Sequence, residues 1–133
     1  MKSGGYLRKI NGLYSINGLE GYREVADDSV DYLFSFAVLV HVRKRTFEDT
    51  MKETYRFMKS GGMAYHTVDY KDHLGGKKNQ LRFRESVWED ETHYRMDNYT
   101  NRLACSEMCQ ILEDIAFKLK GLFICEKSII FCI

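Results

Sequence analysis

Hydrophobic and polar positions fall into blocks of different period along this chain. Residues Val30–Phe36, VDYLFSF, run nearly unbroken in apolar side chains, the pattern of a strand buried on both faces of a parallel sheet. From Thr46 to Lys59 the period changes, with Phe47, Met51, Tyr55 and Met58 recurring at helical spacing. Thr46 followed by Asp49 predicts a capping box, Glu48 and Lys52 can pair one turn apart, and Gly61–Gly62 predict the helix stop. Met63–Val68 then returns to a buried-strand pattern. Strand, helix and strand at this spacing form a βαβ unit with a right-handed crossover.

The remaining blocks are less regular. Residues 10–17, INGLYSIN, are a weak strand candidate. Residues 70–105 show no clear period, and structureless stretches of that length are uncommon in compact domains and often cover active sites. Ser106 predicts the cap of a helix to Ile115 that buries Met108, Ile111, Leu112 and Ile115. Phe117–Ile124 and Ser128–Ile133 read as two closing strands, with Glu126–Lys127 as the turn of an antiparallel hairpin. The expectation is an α/β fold with a mostly parallel sheet, in one unit over 1–133.

Composition narrows the class. The chain is 44% hydrophobic and 29% charged, which is a globular composition and not that of a disordered one. A formal net charge of +1 gives no reason to expect nucleic acid held by bulk electrostatics. The start, MKSGGYLRKINGLY, lacks the apolar core of a signal peptide, and no run is long enough to cross a bilayer. Cys105, Cys109, Cys125 and Cys132 lack paired CxxC spacing, so free thiols and a cytoplasmic setting are expected.

Candidate chemistry concentrates in AYHTVDYKDHLGG, residues 64–76, where His66, Asp69, Asp72 and His73 fall together at the exit of a strand. In an open α/β sheet ligands bind outside the carboxyl ends of the strands, here at Phe36–His41 and Thr67–Tyr70. On a helix, His66, Asp69 and His73 would share a face and could hold a metal. The β-branched Thr67 and Val68 favour a strand, which turns His66 and Asp69 to opposite faces, so no metal is expected. A core histidine and a turn aspartate are the plain alternative for these two.

Two longer stretches carry a family resemblance. DDSVDYLFSFAVLVHV and TMKETYRFMKSGGMAYHTVDYKDHLGG resemble the second half of a class I S-adenosylmethionine-dependent methyltransferase. The family pattern is an acidic turn, a hydrophobic strand, a "vleHv" segment, a helix, "R-hydrophobic-L-K-P-G-G" and a second strand. Here Ser60 stands where the family has proline, and Val40 where it has glutamate before His41. HTVDYKDHLGG, LRFRESVWED and YTNRLACSEMCQILEDIAFKL are similar to a bacterial subgroup of that family, over residues from about 27 to 119. Ala116 replaces the glycine that follows the family's last helix.

The resemblance implies a Rossmann-like fold, S-adenosylmethionine as cofactor and a small-molecule methyl acceptor, with neither nucleic acid nor membrane involved. By position, Ser35, Phe36, Ala37 and His41 would border the cofactor. Asp69, Asp72 and His73 would be the catalytic groups, and Tyr99, Asn101 and Arg102 would contact the substrate. The glycine-rich strand–loop–helix that opens a complete enzyme does not precede the match, and Gly4–Gly5 does not supply it. The expectation is an incomplete domain with weak or no activity and doubtful cofactor binding unless complemented. Its exposed sheet edge would invite self-association; a non-catalytic interaction module is the alternative.

Overall fold

The computed structural model describes residues 18–71, 73–75, 78–123 and 128–132; the strand candidate at 10–17 lies outside them, as do Asp72 and the expected turn at Glu126–Lys127. The chain enters through helix α1 (Gly18–Arg23), then strand β1 (Val30–Phe36), helix α2 (Lys44–Phe57) and strand β2 (Met58–Thr67). Two single-turn helices follow, α3 (Glu85–Trp88) and α4 (Glu91–Tyr94), preceded by a 3₁₀ turn at Asn79–Arg82. Helix α5 (Cys105–Asp114) leads to strands β3 (Lys118–Phe123) and β4 (Ser128–Cys132).

The strands lie in the order β1-β2-β4-β3. β1 pairs with β2 in parallel, whereas β4 is antiparallel to both β2 and β3. The expectation of a mostly parallel sheet is therefore corrected: one of the three pairings is parallel. β1 and β2 are neighbours joined through helix α2, as parallel pairing requires, whereas β4 lies between β2 and β3 and runs opposite to both.

Helix α2 is longer at its start and shorter at its end than the pattern predicts. It begins at Lys44 behind Arg43, and the Thr46 hydroxyl donates back to the Arg43 carbonyl at 3.1 Å instead of capping. It ends because Met58 adopts an extended conformation (φ −76°, ψ 137°), not because of Gly61–Gly62. The glycines sit inside β2, where the register jumps from Val30↔Met58 to Tyr32↔Met63. Gly61 has φ +80°, and a Cβ on Gly62 would come within 2.8 Å of the Lys59 carbonyl. The glycines thus let an irregular stretch of β2 lie against β1.

The apolar stripe of α2 is extended by threonines. Phe47, Met51 and Phe57 are buried beside Thr50 and Thr54. Thr50 Oγ1 donates to the Thr46 carbonyl at 2.8 Å and Thr54 Oγ1 to the Thr50 carbonyl at 2.9 Å, so both hydroxyls are satisfied inside the core. Phe47 and Met51 are wholly excluded from solvent, each contributing about 2 kcal/mol by area. The Glu48–Lys52 pair forms at 2.7 Å but is exposed and adds little.

Helix α5 starts two residues earlier than expected, with Ala104 in place of Ser106 as its N-cap and Glu107 accepting the Ala104 N–H at 2.7 Å. Met108 and Leu112 are buried as expected, and Ile111 and Ile115 pack against the same core. The helix closes on Ala116, which has φ +86°. The Phe117 N–H donates to Leu112 O at 3.0 Å and the Ala116 N–H to Glu113 O at 2.9 Å, the two bonds of a Schellman close. Alanine is strained there, so Ala116→Gly is expected to raise stability by about 1 kcal/mol in urea denaturation; no gain would mean that the unfolded-chain entropy of glycine offsets the relief.

One face of the β1–β2 pair meets α2 and α5, and among the described residues no element covers the other. Ser35, Ala64 and His66 point inward, while Tyr32, Phe34, Phe36 and Met63 are exposed. The run read as buried on both faces is thus buried on one. Among the described residues β1 is also an edge strand.

Candidate functional site

The carboxyl ends of β1 and β2 open onto a crevice whose far wall is the segment between the two halves of the chain. That wall is bolted to the loop after β1. Asn101, fully buried, donates from Nδ2 to Leu39 O at 2.7 Å and Val42 O at 2.9 Å, while its N–H reaches Val40 O at 2.8 Å. The buried Arg43 donates to the Glu91 carboxylate at 2.5 Å and to the Glu89 carbonyl, and stacks over Tyr94 at 4.5 Å. Tyr99 donates its hydroxyl to Glu89 at 3.0 Å and accepts the Lys44 N–H at 3.3 Å. Burial pushes the Tyr99 phenol well above its usual range, so it stays neutral.

These contacts give the stretch without periodicity its own small core. Trp88 is wholly buried and donates from its indole to the Thr100 carbonyl at 2.6 Å. Arg102 sits over the Trp88 ring at 5.6 Å. Its guanidinium donates to Gln80 O at 3.1 Å, Phe83 O at 2.9 Å and Glu85 at 3.1 Å. Three residues expected to contact substrate, Tyr99, Asn101 and Arg102, therefore make bonds that hold the wall in place.

A cavity of about 430 Å³ lies behind it, lined by Val40 after β1, by Asp69, Tyr70 and Lys71 after β2, and by residues from Lys78–Leu81 and Thr100–Cys105. Asp69 accepts the Lys71 N–H at 3.1 Å, which turns the chain as it leaves the strand. Tyr70, whose phenol burial pushes well above its usual range, donates to Met108 Sδ at 3.7 Å. Burial and the neighbouring Cys105 push the Cys109 thiol up to about 11, leaving it protonated and unreactive at neutral pH. Sequence reasoning placed Tyr70 at the crevice but missed Lys71, Lys78, Gln80, Thr100 and Cys105 as lining residues. Only their place just after a strand or within the long unpatterned segment pointed to them.

The other expected site residues divide. His41 and His73 meet, with ring centres 5.0 Å apart. Ser35 instead turns inward, its hydroxyl 2.5 Å from His66 Nδ1. His66 is wholly buried, and burial pushes its pKa down to about 4, so the ring is neutral. The trio His66, Asp69 and His73 is thereby divided between core and rim. Phe36 points out of the opposite face, 71% exposed, and Ala37 takes φ +53° with its N–H donated to Thr67 O at 2.7 Å. Asp72 lies outside the described residues. Among those residues no group of three or more His, Cys, Asp or Glu side chains is placed to hold a metal, and no helix is long and apolar enough to cross a membrane.

The architecture has counterparts among solved structures. A Methanosarcina mazei S-adenosylmethionine-dependent methyltransferase superposes with a TM-score of 0.56 at 20% identity, over 82% of this chain and 61% of that one. A chain of the Haloferax volcanii complex between the Trm112 methyltransferase activator and a protein assigned as a methyltransferase gives 0.50 at 21% identity, over 74% of this chain and 37% of that one. A Bordetella parapertussis protein described as a possible exported protein gives 0.52 at 12% identity, over 84% and 41%. No protein-family model and no curated protein matches the sequence. The chain spans between 37% and 61% of the length of these three structures. A parallel pair joined by a helix, an antiparallel end to the sheet and a crevice at the carboxyl ends of the strands together form, in this chain, a class I S-adenosylmethionine-dependent methyltransferase-like fold.

Proposed function

We propose that this chain is the acceptor-side part of an S-adenosylmethionine-dependent methyltransferase domain, with weak or no activity by itself. The observation that carries this reading is the cavity at the carboxyl ends of the parallel β1–β2 pair, in a fold shared with a methyltransferase. Its lining sets Lys71 and Lys78 against Asp69, a balance suited to a small anionic acceptor. Asp69, Asp72 and His73 are the candidates for accepting the acceptor's proton. The free thiols of Cys105 and Cys109 are in keeping with a cytoplasmic setting.

The described residues fit the cofactor only in part. Ala37 and His41 lie in the loop after β1 but do not line the cavity, the Ser35 hydroxyl faces the core and Phe36 points out of the opposite face. No described strand ends in a glycine-rich turn against a helix, the element that takes a nucleotide-bearing group. Calorimetry with S-adenosylmethionine is therefore expected to show no micromolar binding by this chain alone. Micromolar binding would mean that its own residues complete the nucleoside side, and the partial-site reading would fall.

A second reading, an interaction or dimerisation module derived from the same fold, is favoured by the edge position of β1 among the described residues and by its exposed Tyr32, Phe34 and Phe36. The Haloferax counterpart, found in a complex with a protein activator, is in keeping with a protein partner. Sedimentation of the same sample distinguishes the readings. Dimers that a Phe34→Asp substitution dissociates support self-association through this strand, and a monomer at every concentration removes it.

A further inference from the structure

We propose that His41 and His73 form a two-point site for a divalent transition-metal ion of the zinc or copper kind. The two rings arrive from different elements, His41 from the loop after β1 and His73 from the turn after β2, and their centres lie 5.0 Å apart, tilted by 55°. With a metal–nitrogen bond of about 2.1 Å, an ion held between two imidazoles at a tetrahedral angle places the ring centres about 5 Å apart. The observed spacing accommodates one ion shared between the two rings.

A second observation concerns the protons. His41 Nδ1 lies 2.9 Å from the Tyr99 carbonyl, and His73 Nδ1 lies 3.2 Å from the Asp97 carbonyl. A carbonyl oxygen only accepts, so in each neutral ring the proton is on Nδ1 and the lone pair on Nε2. An Nδ1–H held by a backbone carbonyl is the usual outer support of a metal-binding histidine, because it fixes both tautomer and ring orientation. Here both rings carry it, and both carbonyls come from one segment, 97–99, that the bonds of Asn101 and Tyr99 fasten to the fold. Both side chains are exposed, so an ion can enter without crossing the core. Imidazole nitrogens select zinc, copper and nickel over magnesium and calcium, and water or a substrate oxygen would fill the remaining positions.

The inference does not depend on methyl transfer, since it is tested with metal alone. Equilibrium dialysis of the purified chain against zinc chloride, with no S-adenosylmethionine present, is expected to show one bound equivalent. His41→Ala and His73→Ala should each weaken binding about ten-fold or more, while the double substitution Cys105→Ser, Cys109→Ser leaves it unchanged. Copper(II) bound to the parent chain should show hyperfine coupling to two imidazole nitrogens in electron paramagnetic resonance, and to at most one in either histidine variant. Circular dichroism of the variants checks that they fold, which exposed positions should allow. No binding by the parent chain, binding unaffected by both histidine substitutions, or binding lost only with the cysteines would each overturn the proposal.

Discussion

Trp88→Ala is expected to lower the unfolding free energy by about 3–5 kcal/mol, the range for removing a fully buried large aromatic side chain. The indole is wholly excluded from solvent and packs against Phe83, His93 and Tyr99 at ring-centre distances of 5.5, 4.5 and 6.2 Å. Its N–H satisfies the Thr100 carbonyl at 2.6 Å, one residue before the Asn101 bonds that hold the wall to the loop after β1. Truncation therefore leaves a void and removes that carbonyl's indole donor together. Trp88→Phe restores most of the volume and none of the donor, so its loss should be smaller, about 1–3 kcal/mol. Urea denaturation followed by circular dichroism measures both, because the only tryptophan of the chain is the residue being changed. Amide exchange across 85–101 should accelerate in step with the alanine variant. A loss under about 1 kcal/mol would show that this segment is not part of the cooperative fold.

The second large effect is on pH dependence. His66 is wholly buried, and burial pushes its pKa down to about 4, against about 6.5 in the unfolded chain. Between those values the unfolded chain takes up a proton that the folded chain refuses, so stability falls as pH drops. The full contribution is present above about pH 6.5 and is lost as pH approaches 4, a loss on the order of 3 kcal/mol. His66→Asn keeps a polar partner for Ser35 and cannot titrate. Urea midpoints measured from pH 4 to 7 should therefore slope more steeply for the parent chain than for the variant. Carboxylates titrate in both proteins, so the difference between the curves isolates the histidine. Parallel curves would mean that the folded chain takes up the proton on His66 without penalty.

Much of the fold was legible because its signals are local. The α2 stripe needs only helical spacing, and Phe47 and Met51 are buried where the period puts them. The Glu48–Lys52 pair forms from its spacing alone, and Ala116 takes the positive φ that the departure from glycine pointed to. Two local signals misled. Gly61–Gly62 read as a helix stop, but the helix had already ended at Phe57, and the glycines serve the close approach of β2 to β1. Thr46 read as a cap, but the hydroxyl bonds back to a carbonyl within a helix that starts earlier. Both residue types serve either purpose, and the partner strand or preceding turn decides between them.

The candidate site was legible by element and not by side chain. The exits of β1 and β2 do border the cavity, since ligand crevices follow from strand direction and connection. What each side chain does there depends on partners distant in sequence. Tyr99 and Asn101 look like ligand-contacting polar groups until Glu89, Leu39 and Val42 are seen to be bonded to them. Within 64–76, strand alternation sent His66 inward, and its counterpart Ser35 reaches it from β1 across the sheet.

By itself the sequence determined the βαβ unit, its one amphipathic helix, the strained close of α5 and the resemblance to a methyltransferase fold, because periodicity and backbone preference act within a few residues. Only the tertiary structure decided that the sheet is parallel at one pairing, that Tyr32, Phe34 and Phe36 of β1 are exposed, that residues 79–104 form a fastened wall and that His41 meets His73. Those outcomes depend on contacts between residues tens of positions apart, and such contacts leave no period in the chain.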